Sequence, residues 1–121
     1  MFRLFSIFGK SAAMVALDEA LRAYGVHPLL VPEAVKLTLL KMHRRVPEAP
    51  VAESAALLGY CLLGAEAFAE TCGAREAGQV EARVEAAIAA GDSLDAKVIL
   101  LALHAGLVAP DIAERFEIEE G

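Results

Sequence analysis

The chain has 121 residues, a net charge of −6 and 57% hydrophobic residues, which is one domain's worth with a real core and too acidic for general nucleic-acid binding, since that rests on clustered Lys and Arg against phosphates. Alanine dominates the apolar fraction, Trp is absent and strand-forming runs are scarce, which predicts helices. Two cysteines, Cys61 and Cys72, make no disulfide framework.

Residues 1–10 hold three of the five phenylalanines, Phe2, Phe5 and Phe8, together with Leu4 and Ile7. Such a cluster is too apolar to leave in water. It has three destinations: docking on the chain's own core as an arm or helix extension, exchange with a second subunit, or peripheral membrane attachment with Arg3 and Lys10 near the headgroups. The apolar run stops at Gly9 and Lys10, too short for a secretory signal, so a cytoplasmic location is expected.

Ser11 caps a first helix that runs to residue 24 and stops at Gly25. Met14, Leu17, Leu21 and Tyr24 form its core stripe, with Asp18, Glu19 and Arg22 opposite. A second helix over 32–45 buries Val35, Thr38, Leu39 and Met42 and turns Lys36, Lys41, Arg44 and Arg45 elsewhere, with His43 exposed beside them. This basic stretch in an acidic protein is read as end-charge compensation on a solvated face or as a recognition surface for the acidic C-terminus of another subunit. Pro47 and Pro50 end it.

The stretch 52–72 is predicted as one helix on which the rest is organised. Leu57, Leu58, Cys61, Leu62, Ala65, Phe68, Ala69 and Cys72 share one broad face. Ala52, Ala56, Gly59, Tyr60 and Leu63 make the opposite side apolar as well in the N-terminal half, so this helix is either sandwiched within the chain or shared with a second subunit. If Cys61 and Cys72 lie on one helix they are about 16 Å apart at about 1.5 Å per residue, beyond disulfide reach.

Gly73 ends that helix, and a fourth over 74–90 carries a narrow stripe of Ala77, Val80, Val84, Ala87 and Ile88. After Gly91, a fifth helix over 94–105 contains Val98, Ile99, Leu100, Leu101 and Leu103 and is predicted as the second buried helix, packed on the central one. Gly106 and Pro110 lead to a short sixth helix with Ile112 and Phe116 inward and an acidic tail over 117–121.

Chemistry-bearing patterns are missing from the sequence. No Glu-x-x-His, His-x-x-x-His or Cys-x-x-Cys pair suggests a metal, and Gly9-Lys10-Ser11 lacks the spacing of a phosphate loop. Residues 103–117 have the outline of a helix-turn-helix, yet Asp111, Glu114 and Glu117 around a single Arg115 would repel a duplex.

The expected fold is therefore all-α: one domain over 1–121, a bundle of five or six helices with two largely buried central helices. The expected function is a non-enzymatic protein–protein interaction or scaffold protein that self-associates or meets another protein, with no cofactor, no metal and no nucleic acid, through Phe2, Phe5, Phe8, Ala56, Gly59, Tyr60 and Leu63. An alternative is a small apolar ligand or lipid in an interhelical cavity lined by Tyr60, Cys61, Leu100 and His104. Peripheral membrane attachment through residues 2–8 is the third reading.

Overall fold

The computed structural model describes residues 11–118, so Phe2, Phe5 and Phe8 and the end of the acidic tail lie outside the described residues. Among the described residues the chain is all-helical, with seven α-helices: α1 Ala12–Ala23, α2 Glu33–Arg45, α3 Val51–Leu63, α4 Ala65–Cys72, α5 Ala74–Ala90, α6 Leu94–His104 and α7 Pro110–Arg115. A 3-10 turn over Pro28–Leu30 joins α1 to α2.

Local chemistry explains most of the boundaries. Ser11 Oγ accepts from the Met14 amide and Ser93 Oγ from the Ala96 amide, each satisfying a free donor at a helix start. The last turn of α1 closes with Gly25 N–H donating to Arg22 and Val26 N–H to Leu21. The last turn of α6 does the same, from Gly106 to Leu103 and Leu107 to Ala102. Both are the paired bonds of a Schellman ending.

The predicted single helix over 52–72 is two helices, one more than the sequence reading allows for. Gly64 lies between them at φ 97 and ψ 160, and Gly73 separates α4 from α5 at φ 99 and ψ 151. That extended, positive-φ region is open essentially to glycine alone. Each glycine thus ends one helix and begins the next: Gly64 N–H donates to Tyr60, and its carbonyl accepts from Phe68. A carboxylate from far along the chain holds the break, because Asp111 Oδ2 accepts from the Ala65 amide at 3.1 Å.

The core is built on α3. Every residue from Ser54 to Cys61 is buried, and α3 packs on α1, α2, α4, α5 and α6. Its small residues permit close approach: a Cβ added at Gly59 would stand 3.3 Å from Tyr24 Cβ. Phe68 of α4 sits under this crossing, edge-on to Tyr60 with ring centroids 5.6 Å apart. The other predicted central helix, α6, is half covered: Ala96, Val98, Ile99 and Ala102 are buried, while Leu100 is 48% exposed.

Three polar groups depart from their expected exposure. Asp18 and Lys36, assigned by periodicity to outward faces, are buried and paired at 3.0 Å between α1 and α2. Such a pair adds little net stability over an apolar one, while removing either partner alone leaves a buried charge uncompensated. His43 is buried too, with Nε2 2.7 Å from Ser54 Oγ and Nδ1 3.1 Å from the Ala49 carbonyl. It ties the end of α2 to the Pro47–Pro50 turn and to α3.

Candidate interaction surface

Large apolar side chains stand exposed at Leu29, Leu30 and Leu37 as well as at Ile88 and Leu100, and the last two border the place where α5, α6 and the C-terminal segment meet. Arg83 forms a two-bond fork with Asp95, Nε to Oδ2 at 3.1 Å and Nη2 to Oδ1 at 2.9 Å, fixing α5 against the first turn of α6. Arg115 Nη2 reaches Glu81 Oε2 at 2.8 Å and draws α7 towards α5. The Ala109 amide donates to the Cys61 carbonyl at 2.7 Å, so the start of α7 is also held by α3.

These ties leave a surface groove of about 280 Å³ whose apolar walls are Ile88 of α5, Ile99, Leu100 and Leu103 of α6, and Phe116 and Ile118 beyond α7. Ile88 and Leu100 are each 48% exposed at its edge. The C-terminal wall depends on a backbone choice. Glu117 adopts φ 54, and with it Glu117 N–H donates to Glu114 and Ile118 N–H to Ala113. This is again a Schellman ending, with a glutamate where glycine is usual. It turns Ile118 back to the groove.

The face expected from the sequence is placed differently. Ala56, Gly59 and Tyr60 are buried within the chain and Leu63 is half-buried. Gly59 faces Tyr24 and Phe68; Tyr60 packs edge-on to Phe68 and to Phe116, the latter at 6.4 Å. The small-residue crossing is therefore made with α1 and α4 of the same chain and offers no open face to a second copy.

The four residues expected to line one ligand cavity are not brought together. Tyr60 and Cys61 are buried, whereas Leu100 and His104 are exposed. Leu100 borders the α5–α6 groove, and Tyr60 borders a separate surface pocket of about 340 Å³ with Glu81 and Arg115. The pattern of α6 does not reveal that Leu100 and His104 face outward, because the helix is apolar almost all round and few polar residues mark which side meets water.

Electrostatics at these positions follow burial. The Cys61 thiol is pushed up to about 12 by burial alone, which leaves it inert as a nucleophile near neutral pH. Cys72, half-buried, is also raised, by burial and then by the Glu76 carboxylate. The Tyr60 phenol is raised by burial first and by Glu81 second. Its hydroxyl has no hydrogen-bond partner among the described residues.

The groove residues Ile88, Ile99, Leu103, Phe116 and Ile118 were not singled out as a surface from the sequence. The one sequence signal for them is excess in α6, which carries more large aliphatic side chains than one contact stripe needs. Among the described residues, no helix is long and apolar enough to cross a membrane. Comparison with family models, curated proteins and solved structures finds no match to this chain.

Proposed function

We propose that this chain is a non-enzymatic interaction protein, a helical bundle built around α3, that self-associates through the α5–α6 groove. One observation carries the reading: two large aliphatic side chains, Ile88 and Leu100, stand 48% exposed beside an apolar concavity on the same face. A projection and a recess side by side are what two copies related by a two-fold axis require, because each presents the same patch to the other. Exposed apolar side chains that adjoin an apolar concavity, unlike singly exposed ones, mark a contact site.

The contact surface in this proposal is the groove rather than the Ala56, Gly59 and Tyr60 face, with Phe2, Phe5 and Phe8 contributing further apolar area by their sequence. The same reading keeps the protein in the cytoplasm, where Cys61 and Cys72 remain free thiols.

The test is Ile88→Glu combined with Leu100→Glu. Both positions are half exposed, so the fold tolerates the change, while each lost apolar contact of about 1.4 kcal/mol weakens association by roughly tenfold. Light scattering during size-exclusion chromatography should show a dimer for the unaltered chain and a monomer for the double variant. An unchanged mass distribution contradicts the proposal.

A further inference from the structure

A second concavity lies between the C-terminal half of α2 and the start of α6, with a volume of about 400 Å³. Its floor is apolar, formed by Met42, Val46 and Leu94, and three cations, Lys41, Arg45 and Lys97, stand around it against one carboxylate, Asp92. The chain carries a net charge of −6, so this is a local reversal of sign.

The three cleft cations are exposed; elsewhere in the fold Lys36 is paired with Asp18, Arg83 with Asp95 and Arg115 with Glu81. Among the described residues no salt bridge joins Lys41, Arg45 or Lys97 to a carboxylate, Asp92 included. Three like charges contributed by two helices line one concavity, and an anion placed in it is attracted by all of them. Asp95, in the first turn of α6, is taken up by Arg83 and does not fill this role.

From this arrangement we infer that the α2–α6 cleft is a binding site for a phosphate monoester with a short apolar body. Three cations facing one carboxylate match the charge of a phosphate monoester, which carries between about one and a half and two negative charges near neutral pH. The guanidinium of Arg45 offers a planar two-bond fork for two phosphate oxygens, and the lysines act as point charges on the remaining oxygen. The α6 N-terminus, opening at Leu94, adds a partial positive charge. Met42, Val46 and Leu94 receive the hydrocarbon. The volume lies in the range of small-molecule sites rather than of a protein interface.

The same headgroup chemistry is found in a soluble monoester and in a phospholipid whose phosphate is a monoester, and the test separates the two. Amide chemical shifts of the full chain are followed during titration with hexyl phosphate, with inorganic phosphate and hexanol as controls. The expected result is a set of changes confined to residues 38–46 and 92–97. Hexyl phosphate should bind roughly tenfold tighter than inorganic phosphate, the gain from burying about two methylenes. Arg45→Gln with Lys97→Gln, both exposed positions, should weaken binding by roughly tenfold without altering the rest of the spectrum, and Asp92→Asn should tighten it. Co-sedimentation with phosphatidylcholine vesicles, with and without phosphatidic acid, identifies the source: recruitment only with phosphatidic acid assigns the lipid, and binding of hexyl phosphate alone assigns the soluble ester. No shift at the cleft, or equal affinity in the double variant, overturns the inference. So do shifts that follow protein concentration without ligand, which would assign the cleft to the acidic tail of a second copy. A monomeric chain would refute the groove-mediated association and leave this site untouched.

Discussion

Replacing Gly64 with alanine tests the break that the structure introduces into the apolar stretch 52–72. At φ 97 and ψ 160 a residue with a Cβ is strained by about 1–3 kcal/mol. The added methyl would stand 2.8 and 3.1 Å from the two carboxylate oxygens of Asp111, which must then leave the Ala65 amide. Loss of that cap adds about 1 kcal/mol, for a total destabilisation of about 2–4 kcal/mol. Urea unfolding followed by circular dichroism measures it. Asp111→Ala alone should cost about 1 kcal/mol, and the double variant should cost less than the sum, because either change removes the same bond. A continuous helix through residue 64 predicts the opposite sign, since Gly→Ala in a helix interior gains about 1 kcal/mol. A stabilised Gly64→Ala protein would refute the described geometry.

Other perturbations address the core and the groove. Ser54→Ala leaves the buried His43 Nε2 without its partner at 2.7 Å and should lower unfolding free energy by about 1–3 kcal/mol in the same assay; a loss below about 0.3 kcal/mol would show that the bond is not made. Glu117→Gly removes the strain of a positive φ and should raise stability by about 0.5–1 kcal/mol, and a loss of stability would contradict that turn. Because the Cys61 thiol is raised in the folded state from 9.0 to about 12, the folded chain holds that proton more tightly. Its contribution is complete below about pH 9 and is lost as pH rises towards 12, by about 1.4 kcal/mol per pH unit. Unfolding measured across that window should fall less steeply for Cys61→Ala, and identical slopes would remove the assignment.

Much of the fold is legible in the sequence because its punctuation is local. Ser11, Gly25, Gly73, Gly91, Ser93, Gly106 and Pro110 act within a few residues of themselves, and the helix limits fall at or beside them. The break at Gly64 is not local in this sense. Apolar residues continue in helical register on both sides, and the group that holds the kink, Asp111, is 46 residues away. The Asp18–Lys36 pair is hidden for a related reason: each charge sits opposite its own helix's larger apolar stripe, and only the docking of α1 on α2 buries both. His43 reads as solvent-facing beside Arg44 and Arg45, yet it serves a turn whose path the two prolines do not determine alone.

The candidate surface was harder to read than the fold. A helix apolar on several sides announces more burial than one neighbour provides, but not which side is left over. In α3 the surplus face is taken by Tyr24 and Phe68; in α6 it is Leu100 that remains open. The Arg83–Asp95 fork and the Glu117 turn frame that open side, and neither the pairing of the two charges nor the positive φ of a glutamate is marked by apolar periodicity.

The claim of self-association is tested most directly on the unaltered chain. Sedimentation equilibrium over a hundredfold range of concentration should give a molar mass that rises from that of one chain, 12.8 kDa, towards twice that value. A mass of one chain at every concentration would contradict the account.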